Sequence, residues 1–215
     1  MNNQRSKPIA QARAFRRSGK ALSTVARIFS RIDAPTHIET PDDEPFVLAA
    51  NHRSFFDFIV AWKVLNELGL TCHCMIRADL FDKPIIGSWL KRNGCIPTSK
   101  ATREEAEKLA ISLLDSGYSV AVMPEGRLVP ESDRPDGVGK GRPGISRIAR
   151  SRDLCVIPVG LTGTENIWPV GKTFPRIRFP RHKVSIKFGK PMRLLSNDDI
   201  VNAEAVMGEI QSLLY

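Results

Sequence analysis

The strongest constraint on the fold is an alternation along the chain. From residue 46 onward, short apolar runs of strand length take turns with longer segments of helical periodicity. Strands are expected over 46–50, 71–76, 119–123, 154–161 and 183–188. Helices are expected over 55–68, 85–92, 103–116, 144–151 and 199–214. The clearest helix is 103–116, where Ala106, Leu109, Ala110, Leu113 and Leu114 share one face. Thr102 and Glu105 stand at capping-box spacing before it, and Gly117 closes it. Parallel strands need crossover segments of this length, so the alternation predicts an α/β domain with a largely parallel sheet. In such sheets ligands bind where strand ends meet helix starts.

Composition fits this. A chain of 215 residues with 42% hydrophobic content can bury one sizeable core. No apolar run approaches the ~18 residues of a membrane-spanning helix. The four cysteines make no disulfide framework at this length, and no apolar leader segment is visible. A reducing, cytoplasmic setting is therefore expected.

Charge is unevenly placed. Eight of the nine excess positive charges fall in residues 1–32, which hold Arg5, Lys7, Arg13, Arg16, Arg17, Lys20, Arg27 and Arg31 and no acid. Phe15, Leu22, Val25, Ala26, Phe29 and Ile32 recur there at helical spacing. A basic amphipathic helix over 8–31 fits a membrane surface. A disordered arm, a helix packed on the domain and a transit segment are the other readings. The expected organisation is a surface helix in 1–32, a Pro-rich linker in 33–45 and the main domain in 46–215. A second acid-free stretch runs from Asn166 to Asn197, with eight lysines and arginines. Two basic zones imply an anionic partner, a phospholipid surface or nucleic acid. No nucleic-acid motif accompanies them, so a membrane is the expected partner.

Three segments carry chemistry. His52 and Asp57 lie between a strand and a helix. With the helix starting near Ser54, Asp57 can lean back to orient His52 as a general base. The same Ser54-x-x-Asp57 spacing also satisfies a capping box. Glu125, Gly126 and Arg127 follow the strand 119–123 and belong on the same rim as His52. They offer an acceptor, a permissive backbone and a bidentate anion binder, or else an ordinary solvated turn. Ile157, Pro158 and Val159 place a proline inside an apolar strand, which points to a strand end or bulge. Cys72-His73-Cys74 lacks zinc-ligand spacing and reads as buried cysteine on a strand, and no metal is expected. Gly139-x-Gly141-x-x-Gly144 follows a polar loop rather than a strand. It reads as a mobile loop entering a helix, not a dinucleotide site.

Taken in order, these segments resemble the lysophosphatidate acyltransferase family of glycerolipid synthesis. Residues 51–57 resemble its H-x-x-x-x-D block. Residues 94–100 resemble its second block, with Lys100 where arginine is usual. Residues 123–127 resemble its Pro-Glu-Gly block, with Arg127 directly after Gly126. Residues 156–159 resemble its fourth, proline-containing block. The resemblance implies an αβα layered domain with a mixed, largely parallel sheet and an N-terminal amphipathic helix against a membrane. It implies acyl transfer from acyl-CoA or an acyl carrier protein thioester to a lysophosphatidate hydroxyl, with no bound cofactor. His52 and Asp57 would be catalytic, and Lys100, Glu125, Gly126 and Arg127 would bind the acceptor and its phosphate. Ile157, Pro158 and Val159 would shape the oxyanion or acyl site. Another lysolipid acceptor (lysophosphatidylethanolamine, a lyso-aminolipid or a glycolipid) keeps the same chemistry. A non-catalytic anion- or membrane-binding module is the competing class.

Overall fold

The computed structural model describes residues 9–42, 44–134 and 136–215, with side chains from residue 13 onward. Arg5 and Lys7 lie outside the described residues. Helix α1 (Ile9–Phe29) leads into strand β1 (Ser30–Asp33), then β2 (Val47–Ala50), α2 (Phe56–Glu67), β3 (Cys72–Arg77), α3 (Pro84–Arg92) and β4 (Ile96–Thr98). Next come α4 (Arg103–Asp115), β5 (Ser119–Val122), α5 (Gly144–Arg150), β6 (Val156–Thr162), α6 (Thr164–Ile167), β7 (His182–Phe188) and α7 (Asp199–Ser212).

The strands form one seven-stranded sheet in the order β1-β7-β6-β2-β5-β3-β4. β6, β2, β5, β3 and β4 run parallel, while β7 is antiparallel to β6 and β1 parallel to β7. The sheet is thus mixed and largely parallel. Its two faces carry separate cores. Phe46, Leu48, Ile157, Val159 and Leu161 face a layer built by α1, α2 and α3. Val47, Ala49, Val120, Val122 and Val156 face α4, α5 and α7. The alternation along β2 is the period-2 pattern of a strand covered on both sides.

The N-terminal region differs from the sequence reading in two ways. The helix stops at Phe29, and residues 30–33 form an edge strand, with Ser30 opposite His182 and Asp33 opposite Ser185. The apolar stripe of α1 is also largely committed to the domain. Phe15 and Ala26 are buried, Phe15 stacks on Trp62 at 4.2 Å, and Phe29 meets Phe56 edge-on. Burying this stripe removes more water-exposed apolar surface than a solvated arm could. β4 and α6 are too short to show a period in the sequence. The expected capping box at Thr102 makes no side-chain cap bond. Ser99 Oγ instead accepts from Thr102 N–H.

The topology fixes one functional edge. The carboxyl ends of β2, β5, β3, β4 and β6 share a rim, and the crossover helices α2 and α3 start there. Because β7 is antiparallel to β6 and β1 follows β7, both begin at that same rim. The C-terminal turn of α1 and the segment before His182 therefore also lie on it.

Candidate active site

His52 follows β2 directly, in the turn before α2 begins at Phe56. Its Nδ1 lies 2.9 Å from Asp57 Oδ2. Asp57 is fully buried. The same Oδ2 accepts the backbone N–H of Arg53 at 2.6 Å and of Ser54 at 2.8 Å. Its other oxygen, Oδ1, accepts the hydroxyl of Thr164. Four donors from two elements thus fix one carboxylate. Ser54 Oγ accepts Phe56 N–H at 3.0 Å and donates to Trp168 O at 2.7 Å. Bonding the N–H groups at the helix start and orienting the His52 ring, alternatives at the sequence level, fall to one carboxylate here. Asp57 satisfies orphan N–H groups of the turn and holds the imidazole with the same atom. With Nδ1–H given to Asp57, Nε2 is the ring nitrogen left to accept a proton. The His52 side chain is 19% exposed.

Thr164 was not legible as a site residue. It opens α6, just past the end of β6. Gly163 before it has φ +91°, and a side chain there would strike Lys183 O at 2.1 Å. Only glycine makes that turn, and the turn puts the threonine under Asp57. Below it, Asn51 ties β2 to β6: Nδ2 donates to Leu161 O, and Oδ1 accepts Leu161 N–H, both at 2.8 Å. Arg53, also buried, pairs with Glu165 at 3.2 Å. The His52–Asp57 pair thus rests on a braced junction between two central strands.

Glu125 follows β5, one strand away from His52. It is buried, and Oε1 accepts Gly139 N–H at 3.1 Å. Oε2 is buried and has no hydrogen-bond partner among the described residues. Burial raises the pKa of its carboxyl above the usual range. The Gly139 N–H and the nearby imidazole oppose that shift. Gly126 has φ +67°, and a Cβ there would meet Arg142 Nε at 2.6 Å. Arg142 crosses this glycine, with Nε donating to Glu125 O at 3.0 Å and its N–H donating to Pro124 O at 2.9 Å. The glycine-rich loop read as mobile is thus bound over the Pro-Glu-Gly turn at Gly139 and Arg142. Arg142 is a cation of the site that sequence reasoning missed. Its only sequence signal is its place just before the start of α5.

Arg127 is exposed and lies 3.7 Å from Asp133. Lys100 is exposed just beyond β4, at the far edge of the sheet. With strands about 4.8 Å apart, Arg127 stands one strand from β2 and Lys100 three, about 14 Å. Arg77, at the end of the intervening β3, is held by Asp79 at 2.8 and 2.9 Å. The site is a row of groups along the rim.

Ile157, Pro158 and Val159 sit lower. Pro158 is paired opposite Ala49 on its β2 side. On the other side the pairing passes from Val156 opposite Met192 to Val159 opposite Phe188 with one extra residue in the facing segment, a bulge at the proline. Pro158 O accepts Gly189 N–H at 2.8 Å, and the bulge leaves the proline's missing N–H without a ladder partner to lose. All three residues are buried in the sheet and support the rim from beneath. His73 Nδ1 donates to Gly94 O, 2.7 Å away, and Cys72 is buried. Among the described residues no group of His, Cys, Asp and Glu is arranged to hold a metal ion. No described helix is long and apolar enough to cross a membrane.

Known proteins resemble the chain in sequence and in fold. The chain is 30% identical over 133 residues to the chloroplastic 1-acyl-sn-glycerol-3-phosphate acyltransferase LPAT1 of Arabidopsis thaliana. It is 29% identical over the same length to the chloroplastic enzyme BAT2 of Brassica napus. Each match covers 60% of this chain and 35% or 36% of the relative, so the matched region spans about a third of these proteins. The fold matches the 1-acyl-sn-glycerophosphate acyltransferase PlsC of Thermotoga maritima with a TM-score of 0.73 at 20% identity. That match covers 94% of this chain and 78% of the other. The sequence model of the acyltransferase family matches residues 31–162. That span holds the His52–Asp57 pair and the Glu125-Gly126-Arg127 turn, and the chain belongs to the acyltransferase family.

Proposed function

We propose that the chain transfers a fatty acyl group from a thioester to the free hydroxyl of lysophosphatidate. The observation that carries this is the His52–Asp57 pair, set on a rim beside a buried carboxylate and a row of cations. An alcohol is a weak nucleophile, and a thioester needs only the alcohol's proton removed as it is attacked. Nε2 of His52 takes that proton while the oxygen bonds to the thioester carbonyl carbon. The tetrahedral intermediate then expels the thiolate, which recovers the proton from the imidazolium. Asp57 holds the ring and balances its charge through both steps. General-base help of this kind contributes roughly 10²- to 10⁴-fold.

Arg127, Arg142 and Lys100 supply positive charge for the acceptor's phosphate, and Arg127 offers a planar fork for it. The unpartnered Oε2 of Glu125 suits a hydroxyl donor on the glycerol. The names of the relatives support the acceptor class. Donor type, acyl-CoA or acyl carrier protein, is part of the proposal, and no bound cofactor enters the mechanism. The acceptor is a lipid, so the enzyme would work as a peripheral protein on the cytoplasmic side of an anionic phospholipid membrane, with α1 and its cations near the surface.

The direct test is purified protein with a panel of lysolipid acceptors and both donor types. Lysophosphatidate should be the preferred acceptor, and His52→Ala should lose nearly all transfer while staying folded. Thioester hydrolysis without any acceptor dependence, or a His52→Ala rate above a tenth of wild type, would overturn the proposal. Preference for another lysolipid would move the acceptor and keep the mechanism.

A further inference from the structure

We infer that residues 172–181, together with the last turn of α1, form a docking lip that seats the catalytic rim on an anionic phospholipid surface. The inference deepens the membrane reading above and rests on it. Within six residues this segment exposes Phe174 (78%), Ile177 (75%) and Phe179 (96%). Ile28, 52% exposed, stands beside them, and the two elements line a common cleft. Arg181 joins them by donating from Nη1 to Arg27 O at 2.5 Å. Three large apolar side chains held almost fully in water are costly for a protein alone in solution and mark an interaction surface.

Charge identifies the partner. Lys172, Arg176, Arg178 and Arg181 interleave with these apolar residues, and no acid occurs from Asn166 to Asn197. No carboxylate among the described residues pairs with these four cations. Apolar tips that enter the acyl boundary, flanked by cations at headgroup level, are the pattern of an interfacial anchor.

Position ties the lip to the chemistry. The segment enters β7 at the rim and is anchored beside the base: Phe55 packs on Trp168 at 5.6 Å, and Trp168 O accepts from Ser54. Phe55 at the start of α2, with Ile85 and Ile86 at the start of α3, are exposed along the same rim on the same layer. Leu195, Ile200 and Val201 are also exposed, near the start of α7 and away from the rim, but beside the acids Asp198 and Asp199 rather than among cations. Large apolar side chains thus gather where a membrane-embedded acceptor would have to reach His52, about two strand spacings, ~10 Å, from β7.

The test uses the full chain and vesicles of phosphatidylglycerol with phosphatidylcholine, read by co-sedimentation. The variant Phe174→Ser/Ile177→Ser/Phe179→Ser should lower partitioning at least about tenfold at both low and high salt. The variant Arg176→Gln/Arg178→Gln/Arg181→Gln should lose about fivefold per charge at low salt, on the order of 10² in all. It should show no loss on pure phosphatidylcholine. Both variants should melt as wild type does and acylate a short-chain, monomeric lysophosphatidate at the wild-type rate, while failing on vesicle-embedded acceptor. Unchanged vesicle binding by both variants would overturn the lip while leaving membrane binding to another part of the chain. No vesicle binding by the wild type, or binding to a DNA duplex in its place, would overturn the lip and the membrane reading together. Lip-dependent vesicle binding by a protein that transfers no acyl group would support the lip and sink the acyltransfer proposal.

Discussion

Asp57→Asn separates the two tasks of the carboxylate. Four donors converge on it: His52 Nδ1, Arg53 N–H and Ser54 N–H on Oδ2, and the Thr164 hydroxyl on Oδ1. An asparagine can keep its oxygen toward the first three and turn its amide toward Thr164, whose hydroxyl can rotate to accept. The opposite flip would set N–H against two backbone N–H groups. The shape is kept, then, and the charge is lost. A hydrogen bond to a charged group contributes ~1.5–3 kcal/mol and a neutral one ~0.5–1.5. Each of three retained bonds weakens by about 1 kcal/mol, so the variant should be less stable by ~3 kcal/mol. For a chain of this length that corresponds to a melting temperature lower by about 6–12 °C. The rate should fall much further, on the order of 10²–10⁴, because the imidazolium formed during transfer loses its counter-charge. Calorimetry and single-turnover acyl transfer, at a temperature where the variant is fully folded, measure the two effects separately. A variant that loses the stated stability but keeps more than a tenth of the rate would show that Asp57 only caps the turn.

Arg127→Ala should raise the acceptor KM about tenfold to a hundredfold and leave the donor KM unchanged. Lys100→Ala should do less, because β4 lies three strands from β2, and Lys100→Arg should be tolerated. A change confined to the donor KM of Arg127→Ala would assign these cations to the phosphates of coenzyme A instead. Glu125→Gln keeps an acceptor for Gly139 N–H and removes a buried ionisable group. The folded state raises the pKa of Glu125 above 4.5, so it favours the protonated form, and that contribution is present below 4.5 and lost as pH rises. The glutamine variant should therefore match wild type in acid and become relatively more stable as pH increases, read from melting temperatures across pH. Cys95 is buried, and its thiol is pushed up to about 12. Its thiolate fraction near neutral pH should be about a thousandfold below that of a thiol at 9.0, so native protein should resist alkylation there. Its contribution to stability is complete below pH 9 and is lost as pH climbs toward 12. Phe15→Ala should cost about 3–5 kcal/mol in urea unfolding, since it empties the stack on Trp62. Removing residues 1–32 should then unfold the domain rather than merely release it from a surface.

The sequence by itself determined the α/β class, the central strands and the rim that carries His52, Asp57 and Glu125. Those features are local: apolar runs of four to seven residues, helical periods between them, and polar residues at the joints. His52 and Glu125 were legible because each sits just past a strand, where the chain must turn, and Asp57 because it falls in the first turn of the helix that follows. Tertiary structure decided the rest. Ser30–Asp33 is a strand only because the start of β7 lies beside it, and four residues carry no period of their own. The stripe on α1 could have faced lipid or protein with equal apolarity. Trp62 and Phe56, distant in sequence, settle that it faces the domain. Thr164 and Arg142 join the site across 107 and 17 residues, through a glycine turn and a loop whose geometry no spacing rule encodes. The segment 172–181 was visible as part of a basic stretch. That it stands at the rim follows from β7 running antiparallel to β6, which strand pairing decides and composition does not.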